Sequence, residues 1–160
     1  MKKRSALLLI CAALLILSIS GCSVRPPASM EKDFTLNDLN GNSFTLSQHL
    51  GQPILLCFFL SGCHFCANEV PNLNAVYNKY KDSQGLLVLG IGVGSGISEF
   101  VTSHGVIYPA LIDQNQAVAD LYNVGPVPHN VFINKKGSIV RTEAHELTES
   151  ELEQYLQEIL

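Results

Sequence analysis

Ile54-Leu55-Leu56-Cys57-Phe58-Phe59-Leu60-Ser61-Gly62-Cys63-His64-Phe65-Cys66-Ala67-Asn68-Glu69-Val70-Pro71 changes its periodicity half-way along. The first seven residues are apolar without alternation, as for a central strand covered on both faces. From Cys66 onward the apolar side chains recur as Val70, Leu73, Val76, Tyr77 and Tyr80, one face of a helix that the pattern carries to near Gly85. Cys63-His64-Phe65-Cys66 sits at the junction. A first cysteine placed there lies at or just before the helix amino terminus, where orphan N–H groups and the dipole favour a thiolate. The second cysteine comes one turn later, where it can resolve a mixed disulfide. A structural disulfide and metal ligation are the rival readings. Zinc would want a second C-x-x-C or paired histidines, and the chain has neither.

Toward the amino terminus, Asp33-Phe34-Thr35-Leu36 and Ser43-Phe44-Thr45-Leu46 alternate in polarity around Asn40-Gly41, a hairpin signal in which both turn positions want positive φ. Toward the carboxyl terminus, Leu86 to Val93 reads as a second apolar strand, and Ser98 to His104 as a short helix. Val106 to Ile112 reads as a strand edge broken by Pro109, and Gln116 to Tyr122 as another short helix. Asn130 to Ile133 and Ser138 to Thr142 flank Asn134-Lys135-Lys136-Gly137 as an antiparallel pair. Thr148-Glu149-Ser150-Glu151 is a capping box ahead of Leu152, Tyr155, Leu156 and Ile159. The order is hairpin, β-α-β-α-β-α, then β-β-α, which predicts an α/β fold with a mixed sheet and helices on both faces. Gly90, Gly92, Gly94 and Gly96 match no phosphate-binding spacing, so close backbone packing in a loop is the better reading.

The chain has 160 residues, 47% of them hydrophobic, which suits one domain with a sizeable core. Ten basic residues against fourteen acidic ones give no electrostatic footprint for nucleic acid. Lys2, Lys3 and Arg4 precede the apolar run Ala6 to Ile19 and the small residues Ser20 and Gly21, which is the layout of a secretory signal. The run is short of the roughly 20 residues a membrane span needs. Ile19-Ser20-Gly21-Cys22 resembles the bacterial lipobox, whose cysteine is lipidated and becomes the new amino terminus. Three acyl chains, as that resemblance implies, hold a protein on a membrane far more firmly than one. Residues 1–21 are thus expected to leave as a signal peptide. Loss of its three cations would leave seven basic residues against fourteen acidic ones. Residues 22–32, with Pro26 and Pro27, are expected to tether the domain formed by residues 33–160.

Five cysteines then separate by job. Cys11 leaves with the signal, Cys22 takes lipid, and Cys57 lies in the apolar run as a small buried hydrophobe. Cys63 and Cys66 remain. In an oxidising compartment such a pair can be a disulfide, a metal site or a redox catalyst.

Cys63-His64-Phe65-Cys66 between strand and helix, followed by Val127-Pro128 and Asn130-Val131-Phe132-Ile133-Asn134, resembles the membrane-tethered TlpA/ResA-like thiol-disulfide oxidoreductases, thioredoxin-fold proteins related to the AhpC/TSA group. The likeness extends from about Asp33 to Leu160. It includes Asp33-Phe34-x-Leu36 with Gly41, Cys66-x-x-Glu69-x-Pro71, Tyr108-Pro109-x-x-x-x-Asp113 and Tyr122-Asn123-Val124. It implies a three-layer thioredoxin-like fold, a redox disulfide between Cys63 and Cys66, and no cofactor. It makes Pro128 the cis-proline facing the dithiol, with Pro126 as competitor; an X-Pro amide is readily held cis, and Val127 can offer its backbone to an extended substrate. Glu69 corresponds to the acidic residue that such proteins place near the dithiol to tune thiol ionisation or relay protons. The alternative for Glu69 is a solvated helix position. The implied partners are disulfide-containing envelope proteins such as apocytochrome c, and a membrane thiol donor that re-reduces the pair.

The departures also count. Many relatives carry Trp before the first cysteine and Pro within the dipeptide, whereas this chain has Gly62 and His64-Phe65 and contains no Trp. Cys57 stands six residues before Cys63, where thioredoxins have a buried Asp, which leaves Glu69 as the relay. A cationic His64 would stabilise the Cys63 thiolate. His129 beside Pro128 raises an alternative: a copper chaperone binding Cu(I) through Cys63, Cys66 and His129. His49, His104 and His145 read as surface residues.

Overall fold

The computed structural model describes residues 29–160. The expected signal peptide, Cys11 and the lipidation site Cys22 lie outside the described residues. Seven strands are found among those described: β1 (Thr35–Asp38), β2 (Ser43–Thr45), β3 (Ile54–Phe59), β4 (Leu87–Val93), β5 (Ala110–Asp113), β6 (His129–Ile133) and β7 (Ile139–Glu143). They form one sheet in the order β2-β1-β5-β4-β3-β6-β7. β3, β4 and β5 are parallel, while the hairpin on one side and β6 and β7 on the other are antiparallel. Four helices, α1 (His64–Tyr80), α2 (Ile97–Ser103), α3 (Ala117–Tyr122) and α4 (Glu149–Leu156), cover it.

All six residues of β3 are buried, which explains why its sequence does not alternate. Ile54, Leu56 and Phe58 face Val118, Ala119 and Tyr122 of α3. Leu55 and Cys57 face Leu73 and Val76 of α1 and Leu152 and Leu156 of α4. Phe59 meets Cys66, Val70, Ile97 and Phe100, tying the start of α1 to α2. Each large side chain so enclosed contributes roughly 1.5–3 kcal/mol. The sheet is therefore the middle of three layers, with α1, α2 and α4 on one face and α3 on the other. No helix among the described residues is long and apolar enough to cross a membrane.

Several local expectations are corrected. In the hairpin turn only Gly41 has positive φ, at +84°. Gly41 N–H donates to the Asp38 carbonyl, and the Asp38 carboxylate accepts from the backbone N–H groups of Asn40 and Asn42. This is a type I turn closed by a glycine bulge, organised by an Asp side chain rather than by Asn40 in a left-handed conformation. Regular helix in α1 stops at Tyr80, and further turns lead to Gly85, whose φ of +69° reverses the chain. The strand expected over Val106 to Ile112 begins only at Ala110, after Pro109, and lies inside the sheet between β1 and β4. The capping box is present as expected: Thr148 Oγ1 accepts from Glu151 N–H, and Glu151 Oε2 accepts from Thr148 N–H at 2.9 Å.

Gly90 and Gly92 lie within β4 rather than in a loop, and close packing explains them. A Cβ on Gly90 would stand 3.2 Å from both the Phe59 and Tyr108 rings, and one on Gly92 would stand 2.4 Å from Ile97. α2 and the Tyr108 ring can come this close because β4 has no side chains there.

Candidate active site

Cys63 is the N-cap of α1, and its Sγ accepts the backbone N–H of Cys66 at 3.1 Å. The helix starts here because β3 ends at Phe59 and a short turn, closed by Cys63 N–H on the Leu60 carbonyl, swings the chain over the sheet. Cys63 and Cys66 form a disulfide, with their Cα atoms 5.2 Å apart. Cys63 is half-buried at the rim, whereas Cys66 is packed beneath it against Val70 and Phe59. The outer sulfur is thus the accessible one, and it sits where orphan amides stabilise negative charge.

The Val127-Pro128 peptide bond is cis, which selects Pro128 over Pro126 as the cis-proline. Cys63 Sγ lies 3.6 Å from the Val127 carbonyl oxygen. Phe65, Pro126, Val127 and Pro128, with the turn at residues 144–146, line a groove of about 450 Å³. Phe65 projects from it with 60% of its surface exposed. His64 is exposed on the first turn of α1, its Nε2 3.4 Å from Asn68 Nδ2.

Glu69 is only 1% exposed, so the solvated alternative is overturned. Its Oε1 accepts from Asn130 Nδ2 at 2.7 Å and from Leu147 N–H at 2.9 Å. Burial pushes its carboxyl up to about 7, against the pull of those two donors. Cys57 is a free, buried thiol on β3, held well above the usual range by burial and further by Glu69. Burial and then the neighbouring Cys57 and Glu69 do the same to the Tyr108 phenol.

The sequence presents Asn130 as the first residue of a strand motif, with nothing beside it that ties it to Glu69. An Asn inside a five-residue strand otherwise built of His129, Val131, Phe132 and Ile133 is the signal that could have flagged it, since a buried amide needs a partner. The Leu147 N–H left no such trace.

His129 does not join the cysteines. Its ring is buried edge-on to Phe58, centroids 6.1 Å apart, and neither ring nitrogen has a hydrogen-bond partner. Burial holds the imidazole below its usual pKa, a loss only partly opposed by the nearby Pro126 carbonyl. Among the described residues no three His, Cys, Asp or Glu side chains come together as a metal-binding group, so Cys63, Cys66 and His129 do not form the copper site considered above. His104 and His145 are exposed, as expected, while His49 is half-buried and stacks on Phe44.

The AhpC/TSA family matches residues 28–142. The chain belongs to that family. It is 31% identical, over an alignment of 173 positions covering 99% of both chains, to the thiol-disulfide oxidoreductase ResA of Geobacillus kaustophilus. Among solved structures it superposes on a secreted Mycobacterium tuberculosis disulfide oxidoreductase homologous to DsbE, with a TM-score of 0.71 at 23% identity over 79% of this chain and 96% of that one. It also superposes on the exposed lipoprotein thioredoxin of Streptococcus pneumoniae, with a TM-score of 0.69 at 24% identity over 79% and 99%. The fold is thioredoxin-like, as the sequence implied, and this member of the AhpC/TSA family is a thiol-disulfide oxidoreductase.

Proposed function

We propose that this oxidoreductase works outside the cytoplasm, anchored through lipid on Cys22, and reduces disulfides in envelope proteins, apocytochrome c among them. The observation that carries the reading is the position of Cys63, half-exposed at the amino terminus of α1 and 3.6 Å from the Val127 carbonyl at the cis-proline. An extended client segment pairing with the Val127 backbone brings its disulfide to that sulfur. In the reduced enzyme the Cys63 thiolate attacks one client sulfur, the client disulfide breaks, and the leaving thiolate takes up a proton. Cys66 then gives its proton to the Glu69 carboxylate and attacks Cys63 Sγ, which releases the second client thiolate to be protonated in turn. Two electrons pass to the client, and the enzyme is left with the Cys63–Cys66 disulfide. A membrane thiol donor returns it to the dithiol. Pro128 shapes the groove that receives the client. The charged run followed by Ala6 to Ile19 and Ile19-Ser20-Gly21-Cys22 supports the location, as do the similar proteins described as secreted and as an exposed lipoprotein.

The test is the reduction potential of the Cys63/Cys66 couple, measured by equilibration against defined thiol buffers with thiol trapping. A value near or below thioredoxin's roughly −270 mV is expected of a reductase, and one near about −120 mV would recast the protein as an oxidase.

A further inference from the structure

Glu69 is gripped by one oxygen only. Both donors, Asn130 Nδ2 and Leu147 N–H, point at Oε1, and among the described residues Oε2 makes no hydrogen bond. Asn130 itself is fully enclosed, and its Oδ1 has no donor. A buried amide with one end orphaned is justified by what its other end does. Asn130 reaches Glu69 because β6 pairs antiparallel with β3 and sets Asn130 opposite Cys57, on the face that α1 covers. An amide N–H can donate but not accept. A carboxylic acid protonated on Oε1 would bring its O–H against two N–H donors, so the proton is directed to the other oxygen.

We propose that Asn130 is a positioning residue for the thiol-disulfide exchange: with Leu147 it fixes Glu69 Oε1, so that Oε2 is the oxygen that takes up and returns the proton. This rests on the role given to Glu69 above. The groups that face Glu69 are Cys57 from β3, Tyr108 from the segment before β5, Glu146 from the turn ahead of α4, and the neutral Asn130 from β6. Cys57 and Tyr108 are held protonated, so of these Glu146 alone brings charge.

The experiment follows the Glu side-chain carboxyls of the oxidised full-length protein by carbon-13 NMR against pH, with Glu69 assigned through Glu69→Gln. In the wild type the Asn130 side-chain N–H resonances are expected to move with the same midpoint as the Glu69 carboxyl, near 7. Asn130→Asp keeps the shape and replaces the donor with an acceptor. It is expected to raise the Glu69 midpoint by about one pH unit or more, since a hydrogen bond to a charged group is worth that much. The pH profile of disulfide reduction should move with it. Asn130→Ala should shift both in the same direction by less. Wild-type Asn130 resonances that ignore the Glu69 titration would overturn the proposal without any variant having to fold. A folded Asn130→Asp protein with an unmoved Glu69 midpoint would overturn it as well. If the inflection in the activity profile survives in Glu69→Gln, the role of Glu69 itself falls. If it disappears there but stays in place in Asn130→Asp, only Asn130 is misassigned.

Discussion

Cys63 Sγ and the Val127 carbonyl oxygen, 64 residues apart in the chain, lie 3.6 Å from one another across the mouth of the groove. The sulfur belongs to the cap of α1 and the carbonyl to the loop that leads into β6, so the strand pairing of β3 with β6 is what brings them together. A client disulfide can therefore meet nucleophile and backbone at once.

Replacing Cys66 by Ser should leave Cys63 able to attack but leave no thiol to displace the client from it. Incubation of reduced Cys66→Ser protein with a disulfide-containing client is expected to accumulate a covalent adduct of one to one stoichiometry by non-reducing mass spectrometry. Cys63→Ser should form none. Adduct from Cys63→Ser and none from Cys66→Ser would reverse the assignment of attacking and resolving sulfurs.

Phe65 presents an aromatic ring to solvent at the groove, and no core contact depends on it. Phe65→Ala is expected to leave the melting temperature within about two degrees, because surface changes away from packed features cost within about 0.5 kcal/mol. Its KM for a protein client should rise about tenfold, in the range of an aromatic anchor at an interface, while reduction of a small aromatic disulfide stays within about twofold. A parallel loss on both substrates would show that the ring acts on the sulfurs rather than on the client.

Glu69 makes stability depend on pH in a definite direction. Its carboxyl rises on folding from near 4.5 to about 7, so the folded chain holds its proton more tightly than the unfolded one. That contribution is complete below about pH 4.5 and is lost as pH climbs through 7, on the order of 3 kcal/mol in all. Glu69→Gln has no proton to lose, and its amide oxygen can still accept from Asn130 and Leu147. Urea unfolding at pH 5 and pH 8 should show the wild type weakening across that interval and the variant changing much less. A wild type that gains stability toward pH 8 through this residue would contradict the assignment.

Gly92→Ala should destabilise by about 1–3 kcal/mol, because the added methyl group would overlap three side-chain atoms of Ile97 at 2.4 to 2.7 Å. Chemical denaturation would report this as a lower midpoint with an unchanged slope. Because Ile97 is itself buried, Ile97→Ala carries its own loss, and the double change Gly92→Ala with Ile97→Ala should lose less than the sum of the two single changes if the overlap is the cause.

What could be read from the residues alone was whatever announces itself locally. The switch from an unbroken apolar run to a helical stripe placed Cys63 at the start of α1, and Thr148 with Glu151 marked the start of α4, because both signals are complete within a few residues. The hairpin at Asn40-Gly41 was legible as a hairpin, yet its turn type was not, since the Asp38 carboxylate that organises it lies outside the dipeptide that signals the turn. The break at Pro109 is legible and the ladder starts just after it, at Ala110, but nothing in the apolar stretch says that β5 lies inside the sheet, between β1 and β4. The hold on Glu69 was the least visible part. Its donors stand 61 and 78 residues away, one of them a backbone N–H with no side-chain signature, and only the antiparallel β6 brings the other within reach.

Cys57 has one more consequence. Enclosed between β3 and α1, it is out of reach of any bulky thiol reagent while the domain is folded. The number of sulfurs in residues 29–160 that such a reagent reaches is then a gauge of integrity as well as of oxidation state: none for the intact disulfide, one, Cys63, after mild reduction, since Cys66 is as enclosed as Cys57, and three once the reduced sheet has opened. A single labelling assay can thus tell a reduced molecule from a damaged one.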